Sequence, residues 1–130
     1  MLLFLDVISP IPEFCVIDDN KVIVQEKIIQ NETDRLSDNI IQSYIEIDKH
    51  LNLTQNLKKI STTIGPGSYT SLRVGSAFIS GLMISRKIAY YPLSIVDILN
   101  FNSNKSSKNN LGVFITSSNN QEFLCYKNKD

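Results

Sequence analysis

Apolar and polar positions alternate along this chain in two distinct rhythms. Leu2 to Val7 is a short apolar run of the length of a buried strand. Ser9-Pro10-Ile11-Pro12 stops it, because proline offers no N–H to a ladder. Glu13 to Ile17 reads as a second strand and Lys21 to Ile29 as a third, with Val22, Val24 and Ile28 facing one way. Asp18-Asp19-Asn20 between them is a hairpin turn, since Asp and Asn tolerate left-handed backbone. The rhythm then changes to the helical one. A first helix is predicted from Glu32 or Thr33 to Leu51, with Thr33 or Asp34 as its N-cap. Lys59 to Ile64 is a fourth strand, Tyr69 to Lys87 a second helix, and Ile88 to Leu93 a fifth strand stopped by Pro92. Ser94 caps a short third helix through about Asn100. Asn102 to Asn110 holds no apolar residue and reads as a solvated linker. Leu111 to Ile115 and Glu122 to Tyr126 form a last hairpin around Asn119-Asn120.

The order β-β-β-α-β-α-β-α, then β-β, predicts an α/β fold. A three-strand meander joins two helix-linked strands in a mixed five-stranded sheet with helices against it. That order is similar to the ribonuclease H-like half-domain of the actin-like ATPase superfamily. The expected division is a first lobe over 1–101, a polar linker over 102–110 and a hairpin over 111–130, the remnant of a second lobe.

Both long helices carry more apolar surface than one sheet covers. On a helical wheel Leu36, Ile47, Ile40, Leu51 and Tyr44 fall within about 80° of one another, while Ile41 and Ile45 lie at about 140° and 180°. In the second helix Tyr69, Leu72, Ile79 and Met83 group on one side and Val74, Phe78 and Leu82 on another. Gly75, Ser76, Ala77, Ser80, Gly81 and Ser85 fill much of the remainder, and only Arg73, Arg86 and Lys87 are charged. Either the helices cover one another, or an apolar patch stays open as an interface. The second is the expectation, because the third helix is short. The candidate interface residues are Leu36, Ile40, Ile41, Tyr44, Ile45, Leu72, Phe78, Ile79, Leu82 and Met83.

Composition narrows the classes. With 130 residues, 42% hydrophobic, the chain can build one ordinary core. Formal net charge is zero and no Lys/Arg cluster stands out, which argues against direct nucleic-acid binding. Asp6 interrupts the first apolar run and no basic segment precedes it, so no secretory signal is expected. No segment approaches a membrane span. A cytoplasmic protein is expected, with Cys15 and Cys125 as buried thiols.

Candidate chemistry is sparse. Gly65-Pro66-Gly67-Ser68 precedes a helix N-terminus, a natural anion site, but lacks P-loop spacing and its lysine. The expectation is a turn in which glycine supplies unusual φ and Ser68 caps the helix. Asp6 ends the first strand, where actin-like ATPases hold a metal-linked Asp before a glycine-rich phosphate hairpin. Here Pro10 and Pro12 follow, which remove N–H groups that cradle phosphate. His50 is the one histidine and cannot form a His pair for a metal. Asp18-Asp19 read as a solvated turn, and Ser68, Thr70 or Ser71 lack an oriented base. No catalytic residue, cofactor or metal is expected.

The stretch Gly65-Pro66-Gly67-Ser68-Tyr69-Thr70-Ser71-Leu72-Arg73-Val74-Gly75 resembles the signature of the TsaB (YeaZ) family, with Tyr69 for Phe and Val74 for Ile. Leu2-Leu3-Phe4-Leu5-Asp6-Val7, Cys15-Val16, Gly81-Leu82 and the segment Tyr91 to Leu99 are similar to further family segments. Gly65, Pro66, Gly67, Ser68, Thr70, Arg73 and Gly75 are the positions that carry the signature as a structural turn. The resemblance covers residues 1–101. Beyond them Thr116-Ser117-Ser118 stands where the family has Asp-Ala-Arg, and the family continues further. The resemblance implies a non-catalytic scaffold or activator that pairs through first-lobe helices with the catalytic paralogue TsaD. TsaE joins that complex, which makes threonylcarbamoyladenosine in tRNA, and a homodimer through the same helices is implied as well. The alternative is an enzyme, either a nucleotide-binding ATPase-like protein or a glycoprotease-like peptidase.

Overall fold

The structure, a computed structural model, describes residues 1–29, 31, 33–84, 86–105, 110–116 and 122–128, with side chains described through residue 102. Eleven elements follow in chain order: β1 Leu2–Asp6, β2 Glu13–Asp18, β3 Lys21–Lys27, α1 Leu36–Leu51, α2 Leu53–Asn56, β4 Lys59–Thr63, α3 Tyr69–Met83, β5 Ala89–Leu93, α4 Ile95–Lys105, β6 Asn110–Thr116 and β7 Glu122–Asn128. The first five strands form one mixed sheet in the order β3-β2-β1-β4-β5. β1 is antiparallel to β2 and parallel to β4, with Leu3 opposite both Val16 and Ile60. The α/β fold expected from the element order is therefore present.

The meander forms for the local reasons its sequence offers. Asp19 and Asn20 take positive φ of 46° and 61°, which closes the β2–β3 hairpin. Strict alternation then sends Leu3, Leu5, Phe14, Val16 and Ile60 to one face, all five at 0% exposure. They cluster with Ile40, Tyr44 and Ile47 of α1 and Ile79 of α3 to make the core. Pairing between β2 and β3 shifts at Val16/Ile17, leaving Ile23 as an extra residue on the edge strand.

Several expected boundaries move. α1 begins at Leu36, not at Thr33. The Asp34 carboxylate accepts the Asn31 N–H at 3.0 Å, so it closes a turn ahead of the helix and does not cap it. Glu32, the other expected start, lies outside the described residues. α1 ends at Asn52 in left-handed backbone (φ 50°), whose N–H reaches the Asp48 carbonyl at 2.7 Å. The four-residue α2 after it carries no periodic signal and was not expected. Asp48 holds that corner, accepting the Thr54 N–H at 2.6 Å and the Thr54 hydroxyl at 3.0 Å. α3 stops at Met83 and not at Lys87, because Ile84 leaves helical backbone at ψ 127°.

Pro92 does not stop β5; it sits within it, opposite Thr62. The Ala89 N–H bonds to the Lys58 carbonyl and the Ile64 N–H to the Leu93 carbonyl, both at 3.0 Å. Residues 89, 91 and 93 thus turn towards β4, and Tyr90 and Pro92 turn outward, where a missing N–H costs the ladder nothing. α4 extends to Lys105, so residues 102–105 of the expected linker are helical and Asn110 already belongs to β6. A helical turn of polar residues has the composition of a linker, which is why the two read alike. Residues 106–109 and the Asn119-Asn120 turn lie outside the described residues. β6 and β7 pair antiparallel and pack against α4.

Candidate docking face

Four of the ten expected interface residues are core. Leu36, Ile40, Tyr44 and Ile79 are each at most 8% exposed. The narrow stripe of α1 is the one turned to the sheet, and Ile79 of α3 joins it in the core. Leu72, Phe78, Leu82 and Met83 are half-buried against that core. Ile41 and Ile45, on the far side of the α1 wheel, are 60% and 40% exposed.

Between α1 and α3 runs an open apolar groove of about 500 Å³. Ile41 and Ser37 flank it on α1, Val74, Ala77, Gly81 and Leu82 on α3, and Ile40, Tyr44 and Phe78 form its floor. The floor is rigidly tied to the sheet. The rings of Tyr44 and Phe78 lie 5.5 Å apart at 69°, and each packs on Phe14, at 6.3 Å and 5.5 Å. Edge-on pairs at such distances add to the area they bury. A Cβ at Gly81 would meet nothing within 4 Å, so the groove stays open above that residue. Ser37 and Gly81 were not among the expected contacts. A wheel ranks residues by hydrophobicity, and these contribute by being small.

The signature stretch divides by role. Gly65 takes φ +104° and joins Pro66 through a cis peptide, and its carbonyl accepts the Ile95 N–H at 3.2 Å where α4 begins. At Gly67 the reason for glycine is contact: a Cβ there would lie 2.8 Å from Ile8 Cγ2. The expected positive φ therefore belongs to Gly65 and the close approach to Gly67. A Cβ on Gly75 would lie 2.9 Å from Val7 Cγ1. The Ser68 hydroxyl accepts the Ser71 N–H at 3.4 Å and caps α3. Pro66 is half-buried in the turn, while Thr70 and Arg73 point to solvent. The stretch thus docks the start of α3 onto the loop after β1.

Asp6 is held by its own chain. One carboxylate oxygen accepts the Ile8 N–H at 3.0 Å, the Ser9 N–H at 3.3 Å and the Thr63 hydroxyl at 3.1 Å. The other accepts the Ser9 hydroxyl. The Thr63 hydroxyl in turn accepts the Val7 N–H at 3.0 Å. This carboxylate therefore fastens the turn after β1 to β4. His50 lies exposed in the last turn of α1, beside Lys49. Among the described residues no three His, Cys, Asp or Glu side chains are placed to hold a metal ion. The Cys15 thiol is half-buried; burial pushes its pKa up, and the Glu13 charge adds to the shift. Among the described residues no helix is long and apolar enough to cross a membrane.

Comparison with known proteins places this geometry. A sequence search of curated proteins finds no match. Among solved structures, YeaZ from Pseudomonas aeruginosa superposes with a TM-score of 0.74 at 12% identity, over 99% of this chain and 60% of that one. A structure titled as an uncharacterized protein with similarity to peptidase YeaZ from Pseudomonas aeruginosa gives 0.69 at 15% identity, over 99% and 59%. The chain spans about 60% of the length of these structures. At such identities the likeness is one of fold, the ribonuclease H-like sheet with its helices. The family model for TsaD, tRNA N6-adenosine threonylcarbamoyltransferase, matches residues 23–130, and the chain belongs to that family.

Proposed function

We propose that this chain is a TsaB-type, non-catalytic member of the family that scaffolds or activates the catalytic paralogue TsaD in threonylcarbamoyladenosine synthesis on tRNA. TsaE is the third component of that assembly, and the same face can form a homodimer. The observation that carries this reading is the α1–α3 groove. Its floor is an edge-on aromatic pair, its walls are apolar, and Ile41 and Ile45 stand exposed beside it. Isolated exposed apolar residues are ordinary, whereas a contiguous groove rimmed by them marks a contact surface.

The non-catalytic part of the reading draws support from Asp6. Its carboxylate is engaged by Ile8, Ser9 and Thr63 in a turn that contains two prolines, not the open glycine-rich hairpin that nucleotide binding on this fold uses. The one histidine within these residues stands alone on α1.

The test is titration of the same organism's TsaD against the chain and against its Ile41→Glu variant. At 60% exposure Ile41 contributes little to the fold, so the variant should melt within a degree or two of the parent. Burying an unpaired carboxylate in an apolar contact costs several kcal/mol, so binding should be lost. Failure of the unaltered chain to bind TsaD, or equal binding by the variant, would overturn the proposal. Calorimetry with ATP and Mg²⁺ checks the enzymatic alternative, and micromolar affinity would favour it.

A further inference from the structure

We infer that the docking face has a polar anchor, the stacked pair Tyr69 and Arg73, and that the element of TsaD seated there presents a carboxylate to it. This rests on the docking reading above. Arg73 is the one charged residue in the fifteen of α3. Its guanidinium carbon lies 5.5 Å from the centre of the Tyr69 ring, one helical turn earlier. Tyr69 itself is 72% exposed, so its ring is open to contact.

Among the described residues no carboxylate pairs with Arg73; the ion pair they do form joins the Met1 amino group to Asp18. Arg73 also lies next to the groove. Thr70, Arg73, Val74, Ser76 and Ala77 line an open shelf on α3, and Val74 and Ala77 are walls of the groove as well. A partner element that covers the shelf as well as the groove would strip water from Arg73 too. A guanidinium that loses water without a counter-charge is expensive, and a carboxylate matches its planar fork. Stacking on Tyr69 limits the rotamers of Arg73 beforehand, so less freedom is lost on binding. Tyr and Arg are also among the residue types that dominate binding hot spots.

The experiment is titration of TsaD against the full chain and its Arg73→Ala, Arg73→Lys and Tyr69→Ala variants at low and high salt. The expected result is at least about tenfold weaker binding for Arg73→Ala, with a flatter salt dependence, at an unchanged melting temperature. Arg73→Lys should recover part of the affinity, and Tyr69→Ala should weaken binding severalfold. If the unaltered chain binds TsaD and Arg73→Ala binds equally well with the same salt slope, the anchor falls and the docking reading stands. If Arg73→Ala leaves TsaD affinity intact but weakens tRNA retention by the complex, the counter-charge is phosphate and the anchor to TsaD is overturned. If the unaltered chain does not bind TsaD, both fall.

Discussion

Replacing Gly75 by alanine sets two opposed effects against each other at one atom. Gly75 lies inside α3, where alanine is favoured over glycine by about 1 kcal/mol. The new Cβ would lie 2.9 Å from Val7 Cγ1 and 3.3 Å from Val7 Cγ2. Val7 is 2% exposed and follows β1 directly, so it has little room to retreat. Overpacking of this kind costs about 1–3 kcal/mol, so Gly75→Ala should destabilise by about 1 kcal/mol net. Val7→Ala alone removes two buried methyl groups and should cost about 2 kcal/mol. In that background both offending contacts are gone, and the remaining one, to Val7 Cβ at 3.6 Å, is ordinary. Gly75→Ala should then stabilise, by its helix propensity and by refilling the space. Urea denaturation of the parent, both single variants and the double variant measures the cycle. A sign reversal with a coupling of about 1–3 kcal/mol is expected. Stabilisation by Gly75→Ala in the parent, or additivity of the two changes, would refute the close-approach argument.

The corner after α1 offers a second check: Asp48→Ala removes the bonds to Thr54 and should cost about 1–3 kcal/mol by thermal melting. At the start of α4, Ser94 and Asp97 cap reciprocally, the Asp97 carboxylate taking the Ser94 hydroxyl at 2.7 Å and the Ser94 N–H at 2.8 Å. The Ser94 hydroxyl bond, followed by the backbone one, holds the Asp97 carboxyl below its ordinary value. A depressed folded pKa gives stability present above the ordinary carboxylate range and lost as pH falls through the folded value. The stability difference between the chain and its Asp97→Asn variant should therefore shrink on acidification below about pH 4. Gly65→Ala, forced to a φ of +104°, should destabilise by on the order of 1–2 kcal/mol in the same denaturation assay.

The strands and long helices were legible because each rests on local pattern: alternation in Leu2 to Asp6, the Asp-Asp-Asn turn, and the wheel of α1. Reading α1 by angle separated Leu36, Ile40 and Tyr44 from Ile41 and Ile45, whereas hydrophobicity alone groups all five. Burial depends on what lies opposite, and that is a property of the assembled layers. The groove has the same character, since Ser37 and Gly81 line it by lacking bulk. Polar segments were the least legible. Residues 102–105 of α4 look like linker because their polar composition carries no apolar periodicity. At Gly65 and Gly67 the residue type was informative, but only coordinates distinguish a backbone angle from a neighbour at 2.8 Å.

The two borders of the sheet bear on how anything can attach to it. On β5 the outward row holds Tyr90 and Pro92, so it offers the N–H of one and none from the other. On β3 the unpaired Ile23 distorts the opposite border, with Lys21 and Lys27 at its ends. Neither border is a good main-chain template for another strand. On the proposed reading, attachment of a partner falls to side chains on helices, where recognition is written in shape and is altered by single substitutions. Peptides copying β3 or β5 should not compete with assembly, whereas one copying α1 should.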